Sequence, residues 1–127
     1  TRRLFKDARA EEQRYFKKYG WWPIMHIVAM HQDLLARQPD LPQALMDMFH
    51  QAHEINLDYY TDPNWSRLPW IRHLYEESAA AFGDPWINGF QRNRANLEQF
   101  ILYSYDQGLI GEKYAPERLF APSTLSS

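Results

Sequence analysis

Pro23-Ile24-Met25-His26-Ile27-Val28-Ala29-Met30 is the stretch on which the fold turns. It is almost wholly apolar, interrupted only by His26, and too short to stand as an independent helix. A continuous apolar run of this length predicts a β-strand over 23–30 covered on both faces. With side chains alternating along such a strand, His26 shares a face with Ile24, Val28 and Met30. A buried strand needs partner strands, and no second run of this kind occurs elsewhere. The expectation is therefore a mainly α chain with one buried β-strand, forming part of a larger protein.

Outward from that run, Gly and Pro divide the chain into helices. Asp7 as N-cap, acidic residues early, Lys17 and Lys18 late and Gly20 as stop predict a helix over 7–19. A short helix is expected at 33–37. Asp40 followed by Gln43 suggests a capping box for a helix over 41–60, whose inner face is Leu41, Leu45, Met48, Phe49, Ala52 and Ile55. Thr61 to Asn64 reads as a turn. Ser66 is the expected cap of a helix over 66–82, with Pro69 in its first turn. Its inner face is Leu68, Ile71, Leu74 or Tyr75, and Phe82. The last long helix is expected over 92–107, capped at Asn93 and stopped by Gly108, with Leu97, Phe100, Ile101, Ser104 and Tyr105 inward. A short helix at 116–120 and a fraying tail over 123–127 complete the chain.

Composition narrows the function classes. The chain has 127 residues, 14 Lys+Arg against 16 Asp+Glu, and a formal charge of −2, so it carries no electrostatic footprint for nucleic acid or an anionic membrane. No apolar run reaches the roughly 18–20 residues that span a bilayer. The absence of cysteine removes disulfides, thiolate metal sites and a cysteine nucleophile. The aromatic content is high, with 5 Trp, 8 Tyr and 7 Phe, which provides rigid apolar bulk for a core, groove or interface. The N-terminus has no apolar h-region, so no signal peptide is expected.

His26 is the first candidate for chemistry. An imidazole in an apolar strand is either paired with a backbone carbonyl or lines a cavity, where it could exchange a proton near neutral pH. His50 and His53, followed by Glu54, invite a metal reading, but His-x-x-His-Glu is neither zinc-protease signature and no third ligand is at hand. No metal site is expected. Arg92, Asn93 and Arg94 at a helix start could bind a carboxylate, or serve as a cap and surface ion pairs. Trp22 could stack on an aromatic ligand or belong to the core. No Gly-x-Ser-x-Gly elbow or Gly-rich phosphate loop is present.

Three sets of residues share a pattern. They are Phe5-x-Asp7-x-x-Ala10 leading to Tyr15-Phe16-x-x-x-Gly20-x-x-Pro23-Ile24-Met25-His26; Asn93-Arg94-x-x-Leu97-Glu98-x-Phe100-x-x-Tyr103-x-Tyr105-x-Gln107-Gly108-Leu109; and Pro116-Glu117-x-Leu119-Phe120-Ala121-Pro122. Together they resemble the C-terminal part of the 4,5-dihydroxyphthalate decarboxylase family. Trp21-Trp22 and Gln91-Arg92 depart from its pattern. The resemblance implies the C-terminal portion of a two-lobed α/β fold of the periplasmic-binding-protein type, with Pro23 to Met30 as a strand returning to the first lobe.

The activity it implies is non-oxidative decarboxylation of a hydroxylated aromatic acid, with His26 as proton donor and Arg94, Arg92, Asn93 and Trp22 around the substrate. On that scheme the enzyme is a cytoplasmic lyase of aromatic catabolism that needs no metal or organic cofactor. Its partner is a small aromatic carboxylic acid, and a homo-oligomer is a further expectation. The alternatives are a solute-binding protein of the ABC-transporter type for a small organic acid, or a catalytically inactive fragment.

Overall fold

The computed structural model describes residues 2–127, and all secondary structure among them is helical. Helix α1 (Ala8–Tyr19) is fixed at both ends by local chemistry. The Asp7 carboxylate accepts the Ala10 N–H at 3.0 Å, and Gly20 closes the helix in a left-handed conformation, donating to the Phe16 carbonyl. Helix α2 (Gln32–Arg37) is capped by His31, whose Nδ1 accepts the Asp33 N–H. Helix α3 (Leu41–Thr61) starts at Asp40 without a side-chain cap. The expected capping box is absent because the Gln43 amide donates forward to Asp47 instead.

Helix α4 (Ile71–Phe82) begins five residues later than expected. Pro69 disfavours helical backbone at Leu68. Ser66 Oγ accepts the Leu68 N–H locally, and Trp70 turns the chain with a left-handed φ of 60°. Helix α5 (Phe90–Asp106) begins two residues early, after Gly89. Asn93 is not its cap: the Asn93 amide donates to the carbonyls of Ile87 and Gly89, clamping the loop that enters the helix. The C-terminal tail does not fray. After short 3₁₀ turns at Pro116–Leu119 and Pro122–Thr124, Ser127 returns to the start of α5. Its Oγ accepts the Phe90 N–H at 3.0 Å and its carbonyl accepts the Gln91 N–H at 2.7 Å. Two orphan donors of the first helical turn are thereby satisfied. A Cβ on Gly89 would lie 2.9 Å from the Ser127 carbonyl carbon, so glycine is required there by space as well as by its φ of 120°.

The strand expected over 23–30 does not form. Residues 22–31 run without turn or bend, and no backbone hydrogen bond joins residues 23–30 to any described residue. Strand is a property of a pair of backbones, and no second extended stretch lies alongside this one. The α/β periplasmic-binding-protein fold with a buried strand is therefore corrected to an all-helical arrangement among the described residues.

The elements meet through aromatic contacts and a thin core. Phe16 of α1 packs edge-on against Phe82 of α4 at 5.1 Å, Tyr60 of α3 stacks on Tyr75 of α4, and Phe90 meets Phe120 at 5.4 Å. Only α5 buries an apolar stripe, Phe90, Leu97 and Ile101. The faces expected inward on α3 and α4 are largely open: Met48, Phe49, Ile55, Leu68 and Leu74 are all exposed, as is Phe100 of α5. The accessible surface is 10415 Å². A compact monomer of 15.2 kDa exposes about 7,100 Å². The chain therefore leaves about 3,300 Å² more in water than its mass requires.

Candidate binding groove

Segment 22–30, which carries no turn or bend, forms one wall of an open groove of about 920 Å³. The opposite wall is the α3 face carrying Leu45, Met46, Phe49, His53 and Asn56. The loop 85–90 and the C-terminal turn around Phe120 close the ends. The segment faces this space with apolar side chains: Met25 and Ile27 are 66% exposed and Val28 is 57% exposed.

The polar groups on the walls are few and mostly engaged. His53 Nε2 lies 2.7 Å from Asp84 Oδ2, and the other oxygen of Asp84 accepts the Trp86 N–H at 3.0 Å. The pair joins α3 to the loop after α4 and fixes the turn that presents Trp86. The Trp22 ring sits among Phe16, Phe82 and Trp86, nearly parallel to the last at 6.4 Å. Its indole N–H is shut off from solvent with no hydrogen-bond partner among the described residues. The Trp22 carbonyl accepts from the Asn96 amide of α5.

The five residues singled out by sequence are only partly brought together. Trp22, His26 and Asn93 line the groove, whereas Arg92 and Arg94 do not. His26 is exposed and is not the buried, carbonyl-bonded core histidine of one expectation. Asn93 spends its amide on the Ile87 and Gly89 carbonyls.

Arg94 is held by two carboxylates, Glu98 on its own helix at 2.9 Å and Glu117 of the C-terminal turn. Glu117, and then Glu98, hold the guanidinium above its ordinary value. Glu117 is held below the usual carboxylate range, first by its own backbone N–H and then by Arg94. This is the ion-pair alternative for the Arg92–Arg94 cluster, a tie between α5 and the C-terminal turn. Among the described residues no Lys or Arg lines the groove, and no group of three or more His, Cys, Asp and Glu could hold a metal ion. Among the described residues no helix is long and apolar enough to cross a membrane.

Sequence reasoning missed the His53–Asp84 pair. The partners stand 31 residues apart, and the local spacing pairs His53 only with His50. It also missed Ser127, which was assigned to a fraying end.

A protein of Comamonas testosteroni described as 4,5-dihydroxyphthalate decarboxylase is 27% identical to this chain over 127 residues. The alignment takes in 98% of this chain and 38% of that protein, so the chain spans well under half the length of the relative. No family model matches the chain. This likeness is weak, and the fold on which the expected chemistry rested is absent. The membership implied by the shared motifs, the enzyme assignment as an aromatic-acid decarboxylase and the solute-binding alternative all depend on that fold and do not hold for the helical arrangement of the described residues. A proton-donor role for His26 followed from a returning strand at an interlobe cleft. The described residues contain no strand, and His26 stands in an open groove.

Proposed function

We propose that this chain is a docking element, whose role is to complete an apolar core together with further polypeptide laid over segment 22–30 and the open faces of α3 and α4. The observation that carries this reading is the surplus of about 3,300 Å² of accessible surface over a compact monomer of the same mass. Obligate protein interfaces bury about 1,000–2,500 Å² on each partner, so the surplus is more than enough for an interface of that kind. The character of the surface agrees: Met25, Ile27, Val28, Trp65 and Trp70 all stand out from the backbone, a composition typical of interface centres.

The length relation to the Comamonas testosteroni protein supports the same reading, because the match takes in only 38% of that protein, which carries further polypeptide outside the matching region. A polypeptide fits the groove better than a small aromatic acid. A buried carboxylate needs a cation or several free donors, and the lining offers no Lys or Arg and an Asn93 amide already used.

The test is dye binding together with denaturant unfolding of the isolated chain. The expected result is strong enhancement of a hydrophobic-surface dye under native conditions. The unfolding slope should fall about a fifth below that of a compact protein of this length, in proportion to the smaller area released. A chain that binds no dye and unfolds with the full slope would overturn the proposal.

A further inference from the structure

Residues 24–30 leave seven backbone N–H and seven C=O groups without a partner among the described residues. Backbone groups left unpaired at a surface bond to water. Any polypeptide that covers this apolar segment must replace that water, and a buried unpaired backbone group is costly. A helix has no backbone groups to spare along its length, so helix packing alone would strand these donors and acceptors. Another extended chain pairs with the groups along one edge of the segment, those of alternate residues, and leaves the other edge to solvent.

Resting on the docking reading above, we infer that the occupant is a second copy of this chain, paired antiparallel through residues 24–30 about a two-fold axis at Ile27. The segment is self-complementary in this sense. Reversed upon itself, it sets Ile24 against Met30, Met25 against Ala29, and His26 against Val28, and it contains no Asp, Glu, Lys or Arg to place like charges together. Seven residues give a ladder of about 24 Å. A standard dimer buries about 800 Å² per partner, well within the surplus surface of this chain. No turn or bend interrupts the run from Trp22 to His31, so no local backbone structure has to open before it pairs.

The experiment uses the 127-residue chain and two variants, with association followed by sedimentation and amide exchange followed by mass spectrometry. Ile27→Thr keeps the backbone donor and a strand-forming side chain. Ile27→Pro removes the donor at the axis of the ladder. With Ile27 at a hydrogen-bonded pair, the expected result is a dimer in which the amides of Met25, Ile27 and Ala29 become protected as concentration rises, while those of His26 and Val28 point away from the partner. The Pro variant should weaken association at least about tenfold and the Thr variant only a few-fold.

A dimer that leaves these amides unprotected, or that tolerates Ile27→Pro as well as Ile27→Thr, overturns the inference and leaves docking through helix faces. Persistent dye binding by a chain that stays monomeric also overturns it, and assigns the segment to a different polypeptide. A monomer that binds no dye removes the docking reading as well.

Discussion

Gly89→Ala tests the unexpected closure of α5 by the chain's last residue. Two costs add at this position. Gly89 holds φ 120° and ψ 153°, a region essentially restricted to glycine, and forcing alanine there costs about 1–3 kcal/mol. The new Cβ would also lie 2.9 Å from the Ser127 carbonyl carbon, displacing the group that accepts from Phe90 and Gln91. Losing those two bonds costs about 1–2 kcal/mol more. The sum, about 2–5 kcal/mol, lowers the thermal midpoint of a chain of this size by about 8–18 °C.

Gly20→Ala is the control. Gly20 is also left-handed, with φ 79°, but its Cβ would meet nothing within 4 Å, so the cost is confined to about 1–2 kcal/mol of backbone strain. Amide exchange at Gln91 reports the cap directly and should accelerate at least about tenfold in Gly89→Ala and little in Gly20→Ala. Deleting Ser127 should shrink the gap between the two variants, since the displaced group is then gone. Equal losses in both variants, with unchanged exchange at Gln91, would refute the reasoning.

Further outcomes follow from the other contacts. Leu97→Ala empties a site in the one buried apolar stripe and should cost about 2–5 kcal/mol by chemical denaturation. Asp84→Asn should loosen the turn that holds Trp86 and shift the tryptophan emission to the red, with His53→Gln giving a smaller shift because Asp84 keeps its bond to the Trp86 N–H. The Arg94–Glu117 tie should be acid-labile. The folded state lowers Glu117 below 4.5, so its stabilisation is present above that pH and is lost as pH falls through the lower, folded value. Protection of the C-terminal turn amides, taken against their intrinsic exchange rates at each pH, should therefore fall on acidification in the parent and be insensitive to that step in Glu117→Gln.

The parts of the fold legible in sequence are those fixed by neighbours in the chain. Asp7 and Gly20 bound α1 because a cap reaches only a few residues. Leu97, Ile101 and Ser104 mark the buried stripe of α5 because helical spacing aligns them. The same periodicity on α3 and α4 gave amphipathic faces without showing whether anything covers them, and Met48, Ile55 and Leu74 stay open. The start of α4 was misplaced because Pro69 and the left-handed Trp70 outweigh the capping preference of Ser66.

The apolar run at 23–30 reads as a strand in sequence and is not one, since pairing depends on a backbone that the described residues do not supply. The candidate site suffered most from distance. His53 meets Asp84, and Ser127 meets Phe90, across 31 and 37 residues, and no local pattern encodes either contact. Arg94 was legible as a carboxylate binder, but the carboxylates it holds are Glu98 and Glu117 of its own chain.

The most direct test of the docking account is small-angle X-ray scattering of the isolated chain, read for mass and radius of gyration together. A compact monomer of this length has a radius of about 14 Å. The account predicts either a particle heavier than 15.2 kDa or a single chain with a radius clearly above that value. A 15.2 kDa particle at about 14 Å, unchanged with concentration, would contradict it.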